Sequence, residues 1–314
     1  MAQVINTTGT STLSPEMKTF YDKDLLRNAK PVLVHNQFGQ KRNIPKNGGK
    51  TIEFRKFSPL AKAMTALTEG VTPDGKQLTV TSLTATVGQY GDYVALTDVL
   101  QLASFDPMLV EANKLLGAQA GETLDSLTAN ILNAGTNVQY ANGKVSRATL
   151  AAGDVLTVEE IKKAVRTLKN NKAKKIKGSY VAIIHPDVSY DLTNDPKWEA
   201  VKEYDPKDWY NGEIGRIHGV RFVETTEAVK FTVTTGSGES ATTKTVYSTL
   251  VLGADAYGIT SIEGGGLQTI IKQLGSAGSA DPLDQRSTTG WKAIHVAKIL
   301  VEEYMVRIES LATA

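Results

Sequence analysis

The sequence predicts a protein of mixed helices and strands, α/β or α+β, on three observations. Phe105 to Ala134 carries apolar or small residues at Leu109, Ala112, Leu116, Ala120, Leu124, Leu127, Ile131 and Ala134, the three-and-four spacing of a helix. Leu78 to Leu96 is a long run rich in threonine and valine, the composition of a strand. Tyr180-Val181-Ala182-Ile183-Ile184 is a buried-strand pattern that passes into His185-Pro186-Asp187, the opening of a short helix. Strand–helix alternation of that kind places a layered domain in the middle of the chain.

The elements follow in order. Residues 1–13 are small and polar. Ser14-Pro15 opens a short helix that sets Met17, Phe20, Tyr21 and Leu25 on one face, and Pro31 ends it. The next stretch, to Lys50, has no sustained period and reads as an extended arm. From Glu16 to Lys56 there are ten Lys/Arg against four acids. Such an arm is expected to lie on a neighbouring surface, although a solvated surface segment has the same composition. Thr51 to Phe57 alternates Ile52 and Phe54 with Glu53 and Arg55 and is a strand. Thr72-Pro73-Asp74-Gly75 supplies turn chemistry before the run to Leu96. Together these form a long β-excursion whose tip is expected to carry little apolar material and to bury little in its own domain.

The long helix takes Asp106 as cap and Pro107 in its first turn, and spans roughly 45 Å over thirty residues at about 1.5 Å each. Gly135 is expected as a left-handed C-cap. Gly117 and Gly121, each costing about 1 kcal/mol against alanine, predict a backbone packed closely on that face. Thr157 caps a helix running to about Asn170, with Glu160 completing a capping box and Ile161, Ala164, Val165 and Leu168 inward. Basic residues at 162, 163, 166, 169, 172, 174, 175 and 177 give that helix and its tail a cationic side, a phosphate site or an ordinary solvated face. Gly219 to Glu224 is a strand. Lys230–Thr235 and Thr242–Val251 form a hairpin around Gly236 and Gly238. Trp291 to Ile308 is one long strand, or a strand broken at Glu302-Glu303.

Composition excludes whole classes of chemistry. The 314 residues carry 41% hydrophobic and 22% charged side chains and a formal net charge of +2, so bulk charge makes no case for nucleic-acid binding. There is no cysteine, hence no disulfide, thiolate nucleophile or thiolate metal ligand. No apolar run approaches the roughly 20 residues of a membrane helix, and the N-terminus lacks a secretory pattern; a cytoplasmic origin is expected. Asn47-Gly48-Gly49-Lys50-Thr51 imitates the end of a phosphate loop but has Ile44 where the first glycine belongs and runs into a strand. The histidines, at 35, 185, 218 and 295, show no metal-ligand helical spacing, and no HExxH or GxSxG motif occurs. His185 with Asp187 is the one drawable acid–base pair, and a histidine before proline at a strand end is ordinarily structural. No catalytic residue, cofactor or metal is expected.

The order of parts is itself informative: basic arm, β-excursion, long helix, mixed middle, returning strand. It resembles the α+β major capsid fold of tailed bacteriophages, the Hong Kong 97 type, also found in encapsulin shells. The stretches FYDKDLLRNAKPVLVHNQFGQKRNIPKNGGKTIEFRKF, LTEGVTPDG, TLDSLTANIL, LVLGADAYG and DPLDQRSTTGWKA are similar to the branch typified by coliphage N-4. The resemblance implies an N-terminal arm (1–49), an E-loop (50–97), a peripheral domain with its spine helix (98–150) completed by 275–314, and an axial domain (151–274). It implies a structural protein, not an enzyme, that self-assembles through hexamers and pentamers into an icosahedral head around double-stranded DNA. Its partners would be copies of itself, a portal, and a scaffold or decoration protein, with assembly in the bacterial host cytoplasm. About a dozen residues precede the arm, so a separate scaffold or none is expected. Residues expected at contacts between subunits are Phe20, Tyr21, Leu25, Glu69, Thr72, Arg286 and Trp291. An encapsulin-like cargo shell and a soluble α+β enzyme are the competing readings.

Overall fold

The computed structural model describes residues 23–29, 33–104, 107–198, 213–235, 242–276 and 281–313. Phe20, Tyr21, Asp106 and the expected turn at 236–238 lie outside them.

Helix α1 (residues 23–29) leads into a 3-10 turn at His35–Gln37 and strand β1 (Gln40–Ile44). Strands β2 (Thr51–Phe57) and β3 (Val80–Thr86) form a separate two-stranded antiparallel ladder, Thr51 opposite Thr86 and Phe57 opposite Val80. Val87 interrupts the expected Leu78–Leu96 strand, and β4 (Gly88–Thr97) leaves for a different sheet. Helix α2 (Asp98–Ala103) follows, with the Thr97 side chain accepting from the Leu100 N–H as its cap.

Helix α3 (Met108–Asn133) is the expected long rod, begun by Pro107 and bounded by Ala134. Gly135 does not adopt a left-handed conformation. Its bare Cα instead leaves room for Met305, whose Cε would lie 2.6 Å from an added Cβ. The buried stripe also drifts along the rod. Ala112, Leu116, Ala120 and Leu124 are inward as expected, but the last turns bury Asp125, Thr128, Ala129, Leu132 and Asn133. Leu127 and Ile131 are only half-buried and Ala134 is exposed. Gly117 meets the close backbone its sequence position predicts: an added Cβ would sit 2.9 Å from the carbonyl oxygen of Leu25 in α1.

Strand β5 (Val138–Tyr140) precedes α4 (Val158–Asn170), where Thr157 accepts from the Glu160 N–H. Glu160 does not close the reciprocal half of a capping box. Its carboxylate is taken by Gln139 at 2.7 Å and Lys163 at 2.8 Å. Strand β6 (Tyr180–Ile184) is buried throughout and runs into α5 (Pro186–Thr193) with His185 as cap. Strands β7 (Glu213–Ile217), β8 (Val220–Glu224), β9 (Lys230–Thr235) and β10 (Thr242–Leu252) follow. The chain ends through β11 (Tyr257–Ile262), β12 (Gln268–Lys272), β13 (Arg286–Ile299) and β14 (Met305–Ser310). A 3-10 turn at Glu302–Tyr304 separates the last two, the break anticipated at that glutamate pair.

Two larger sheets result. One runs β5-β14-β10-β6-β8-β7, with β9 added on β10; the other runs β1-β11-β13-β12, with β4 also pairing β13. The continuous apolar run of β6 follows from burial on both faces. Tyr180, Ala182 and Ile184 meet α4 and α5 through Ile161, Val165, Leu168 and Val188. Val181 and Ile183 face Leu132 of α3, Tyr257 and Met305. In the other sheet β13 is the common strand, and Trp291 and Ala293 pack on Leu116, Ala120 and Leu124 with Leu25 of α1. Residues 138–140 and 305–310, expected with the peripheral part, pair inside the seven-stranded sheet. Residues 257–272, expected with the axial part, pair with β13.

Candidate assembly surfaces

The β2–β3 ladder holds a projection, residues 58–79, every one of which is exposed. Its root closes with the Ser58 N–H donating to the Thr79 carbonyl at 3.0 Å. The tip was expected to carry little apolar material, and here the structure differs. Leu60, Met64, Leu67, Val71 and Leu78 are all exposed, Met64 at 85%. A chain segment that puts this many large aliphatic side chains in water has the character of a surface awaiting a partner. Glu69 and Thr72 lie on this projection.

A second apolar surface lies at the end of the β4–β13 ladder, where Thr97 faces Arg286 and the Asp98 N–H donates to the Gln285 carbonyl. There α2 exposes Val99 and Leu102, the latter at 87%, and Leu283 is exposed beside Arg286. The Arg286 guanidinium lies 3.8 Å from Asp281. Sequence reasoning selected Arg286 but missed Val99, Leu102 and Leu283. The signal was the apolar VLQL on a helix of only six residues, too short to bury all sides.

Leu25 and Trp291 are placed elsewhere. Both are buried in one cluster of this chain, and the Trp291 indole N–H donates to Gln119 at 3.0 Å. Gln119 in turn donates to Asp92 at 2.8 Å. That bond and the Tyr93 N–H hold the Asp92 carboxyl below the usual carboxylate range.

The arm's root is also internal, against the expectation that it lies on a neighbour. His35 and Asp125 are buried to 1% and 0% exposure, with Nδ1 and Oδ2 2.6 Å apart. Asp125 further accepts from the His35 N–H at 2.7 Å. The Thr128 hydroxyl lies 2.6 Å from Asn36 Oδ1 and 2.9 Å from His295 Nε2. Tyr257 donates its hydroxyl to the His35 carbonyl. No local spacing in the sequence announces this network, because its members come from the arm, α3, β11 and β13.

The His185–Asp187 pair proves to be a helix cap. His185 Nδ1 accepts from the Asp187 N–H at 3.1 Å, and Tyr247 donates to Asp187 Oδ2 at 2.6 Å. The carboxylate pushes the Tyr247 hydroxyl up to about 12. Burial, then Lys230, hold His185 below the ordinary imidazole value. A tyrosine that keeps its proton and a histidine whose Nδ1 is used by backbone describe a clamp on the start of α5. Among the described residues no group of three or more His, Asp or Glu could hold a metal ion, and no helix is long and apolar enough to cross a membrane.

Two mixed sheets sharing a long helix, with a two-stranded ladder beside the five-stranded sheet carrying the projecting loop 58–79, define the tailed-phage major capsid fold of the Hong Kong 97 type. A family model described as phage capsid protein matches residues 80–308, about three quarters of the 314-residue chain. The chain belongs to that family: it is a structural protein, a major capsid protein of a bacteriophage virion shell. Solved structures with the same fold include the capsid of Ralstonia phage GP4, at TM-score 0.74 and 14% identity over 100% of this chain and 99% of that one. The capsid of cyanophage Pam1 matches at TM-score 0.67 and 15% identity over 100% of both chains. The capsid of cyanophage P-SCSP1u matches at TM-score 0.67 and 13% identity, covering 90% of this chain and 89% of that one. No curated protein sequence matches this chain.

Proposed function

We propose that the chain forms hexamers and pentamers of an icosahedral head enclosing double-stranded DNA, in the branch typified by coliphage N-4. The observation that carries this reading is the projection of residues 58–79, which exposes aliphatic side chains that a neighbouring copy of the same fold would cover. Within the E-loop of residues 50–97, the part laid over the adjacent subunit is the projection 58–79, with Glu69 and Thr72 in that contact. Arg286, beside the exposed Val99, Leu102 and Leu283, belongs to a second one. Residues 1–49 are the arm, pinned at its root, with Phe20 and Tyr21 as contacts to a neighbour. The five-stranded sheet with α3 corresponds to the peripheral domain, and the seven-stranded sheet with α4 and α5 to the axial domain. Many modest contacts per subunit hold such a shell by multivalency. A portal, a scaffold or decoration protein and the packaged DNA are its other partners, and assembly takes place in the bacterial host cytoplasm.

Negative-stain electron microscopy of the full chain, alone and co-expressed with its genomic neighbours, tests this against a deletion of residues 58–77. The full chain is expected as rings of five and six or closed shells, and the deletion variant as a folded subunit that forms neither. Normal shells from the deletion variant would remove the bridging role of the projection.

A further inference from the structure

Between Ile161 and Pro186 the chain has eight Lys/Arg and no Asp or Glu. Helix α4 sorts them. Lys163 is engaged by the Glu160 carboxylate at 2.8 Å. Lys162, Arg166 and Lys169 fall at steps of four and three on the exposed side, and no carboxylate pairs with them among the described residues. They line an open cleft of about 540 Å³ together with Val165, Asn170 and His218. The opposite wall is the tight turn joining β7 to β8. His218 stands there at φ +50° and Gly219 at φ +79°. Asn or Gly is the usual residue at the first position of such a turn, so turn chemistry alone does not select an imidazole. Lys175 reaches the same turn, its Nζ 3.8 Å from where a Cβ on Gly219 would be. Burial together with the positive field of Lys162 and Lys169 holds His218 below the ordinary imidazole value.

We propose that this cleft binds the phosphate backbone of duplex DNA, with one strand lying across Lys162, Arg166 and Lys169. The inference rests on the capsid reading and assigns its DNA contact to one surface. Seven residues of helix span about 10.5 Å, and a DNA strand presents a phosphate about every 3.4 Å of duplex axis, so roughly three phosphates face the three cations. Among the described residues the lining carries no aromatic ring on which unpaired bases could stack, which favours duplex over single strand. Among the described lining residues Val165 is the only apolar one, so charge rather than apolar surface dominates that lining. Contact is therefore through backbone charge and independent of base sequence.

The test uses full-length subunits before assembly and a short fluorescently labelled DNA duplex of two unrelated sequences, followed by anisotropy between about 50 and 200 mM salt. Both sequences are expected to bind alike, with log affinity falling against log salt at a slope of about −3. The triple variant K162Q/R166Q/K169Q is expected to flatten that slope towards zero and lose at least tenfold in affinity at low salt. The variant K172Q/K174Q/K177Q, which removes the same charge from the same run outside the cleft lining, should retain the slope. NMR titration should show the His218 imidazole pKa rising when the duplex is added. Equal losses in the two triples, or unchanged binding in the first, would overturn the assignment. So would a cleft variant that keeps its DNA affinity but no longer assembles, since the surface would then be a protein contact. Microscopy of the same preparations separates this from the capsid reading, which fails only if the unsubstituted chain forms no rings or shells under any condition.

Discussion

His35 and Asp125 are ninety positions apart in sequence and meet at 2.6 Å inside the protein, where neither side chain reaches solvent. One carboxylate thereby receives the His35 ring and the His35 N–H. The consequence is mechanical. The root of the basic arm is fastened to the long helix, so force on the arm passes directly into α3 and, through Thr128 and His295, into β13.

Removing the carboxylate tests that fastening. Asp125→Ala strips the partner from a buried imidazole and a buried N–H, and breaking a buried pair of this kind costs on the order of 3–5 kcal/mol. Denaturant unfolding should show that loss. Limited proteolysis should show new cleavage within residues 33–44 before the rest of the subunit opens. Cleavage that begins elsewhere would mean the arm root is held by its β1–β11 pairing and its bonds to Thr128 and Tyr257 without the carboxylate.

The same network gives the subunit an acid sensitivity. Burial depresses the His295 pKa to about 4, against which Asp125 acts only partly. The unfolded chain takes up a proton near 6.5, whereas the folded one does not until about 4. Stability contributed by neutral His295 is therefore complete above about pH 6.5 and lost as pH falls towards 4, by up to about 3 kcal/mol. Unfolding free energies across this window should fall less steeply in His295→Gln than in the unsubstituted chain. Parallel profiles would place the acid sensitivity in other groups.

Gly117 tests helix packing. Alanine there gains about 1 kcal/mol of helix propensity. Its Cβ, however, would press on the Leu25 backbone carbonyl at 2.9 Å and on Asn28 Cβ at 3.1 Å, so α1 must shift and the propensity gain is offset. Gly117→Leu cannot be accommodated so cheaply, and overpacking of about 1–3 kcal/mol is expected. Hydrogen exchange should show α1 losing protection while α4 keeps it. A leucine variant as stable and as protected as the parent would mean α1 shifts freely on α3.

What could be read from the sequence follows the range of the interactions that build it. Alternation alone delimits β2, and the apolar run at 180–184 delimits β6, because each residue's environment repeats at short period. Thr157 announces α4 for the same local reason. Strand β1 was read as irregular arm. Its QKRNI composition is that of a solvated edge, and only its partner β11, more than two hundred residues away, makes it a strand. The polar residues on the buried side of α3 escaped notice likewise. Asp125 and Thr128 look like surface positions until residues 35, 36 and 295 are brought against them. Leu25 and Trp291 were selected as contact residues on a sequence likeness, yet their bulk is used within the chain. The exposure of 58–79 was legible in the sequence, but the aliphatic character of that surface was not, since nothing local distinguishes a leucine in a core from one in water.

Those aliphatics permit a separation of folding from assembly. Leu60, Met64 and Leu67 are exposed in the subunit, and substitutions at exposed positions ordinarily change stability by no more than about 0.5 kcal/mol. The triple variant Leu60→Ser, Met64→Ser, Leu67→Ser should therefore unfold at the same denaturant midpoint as the parent. In a shell each copy would have buried three large side chains on a neighbour. At about 1.5–3 kcal/mol for each fully buried side chain, the lost contact is several kcal/mol per subunit, repeated at every equivalent position of the shell. Sedimentation and electron microscopy should show the variant as folded subunits at concentrations where the parent assembles. A variant that assembles at the parent's concentration would mean the projection contributes reach rather than adhesion. A variant that unfolds early would mean the projection packs on its own chain.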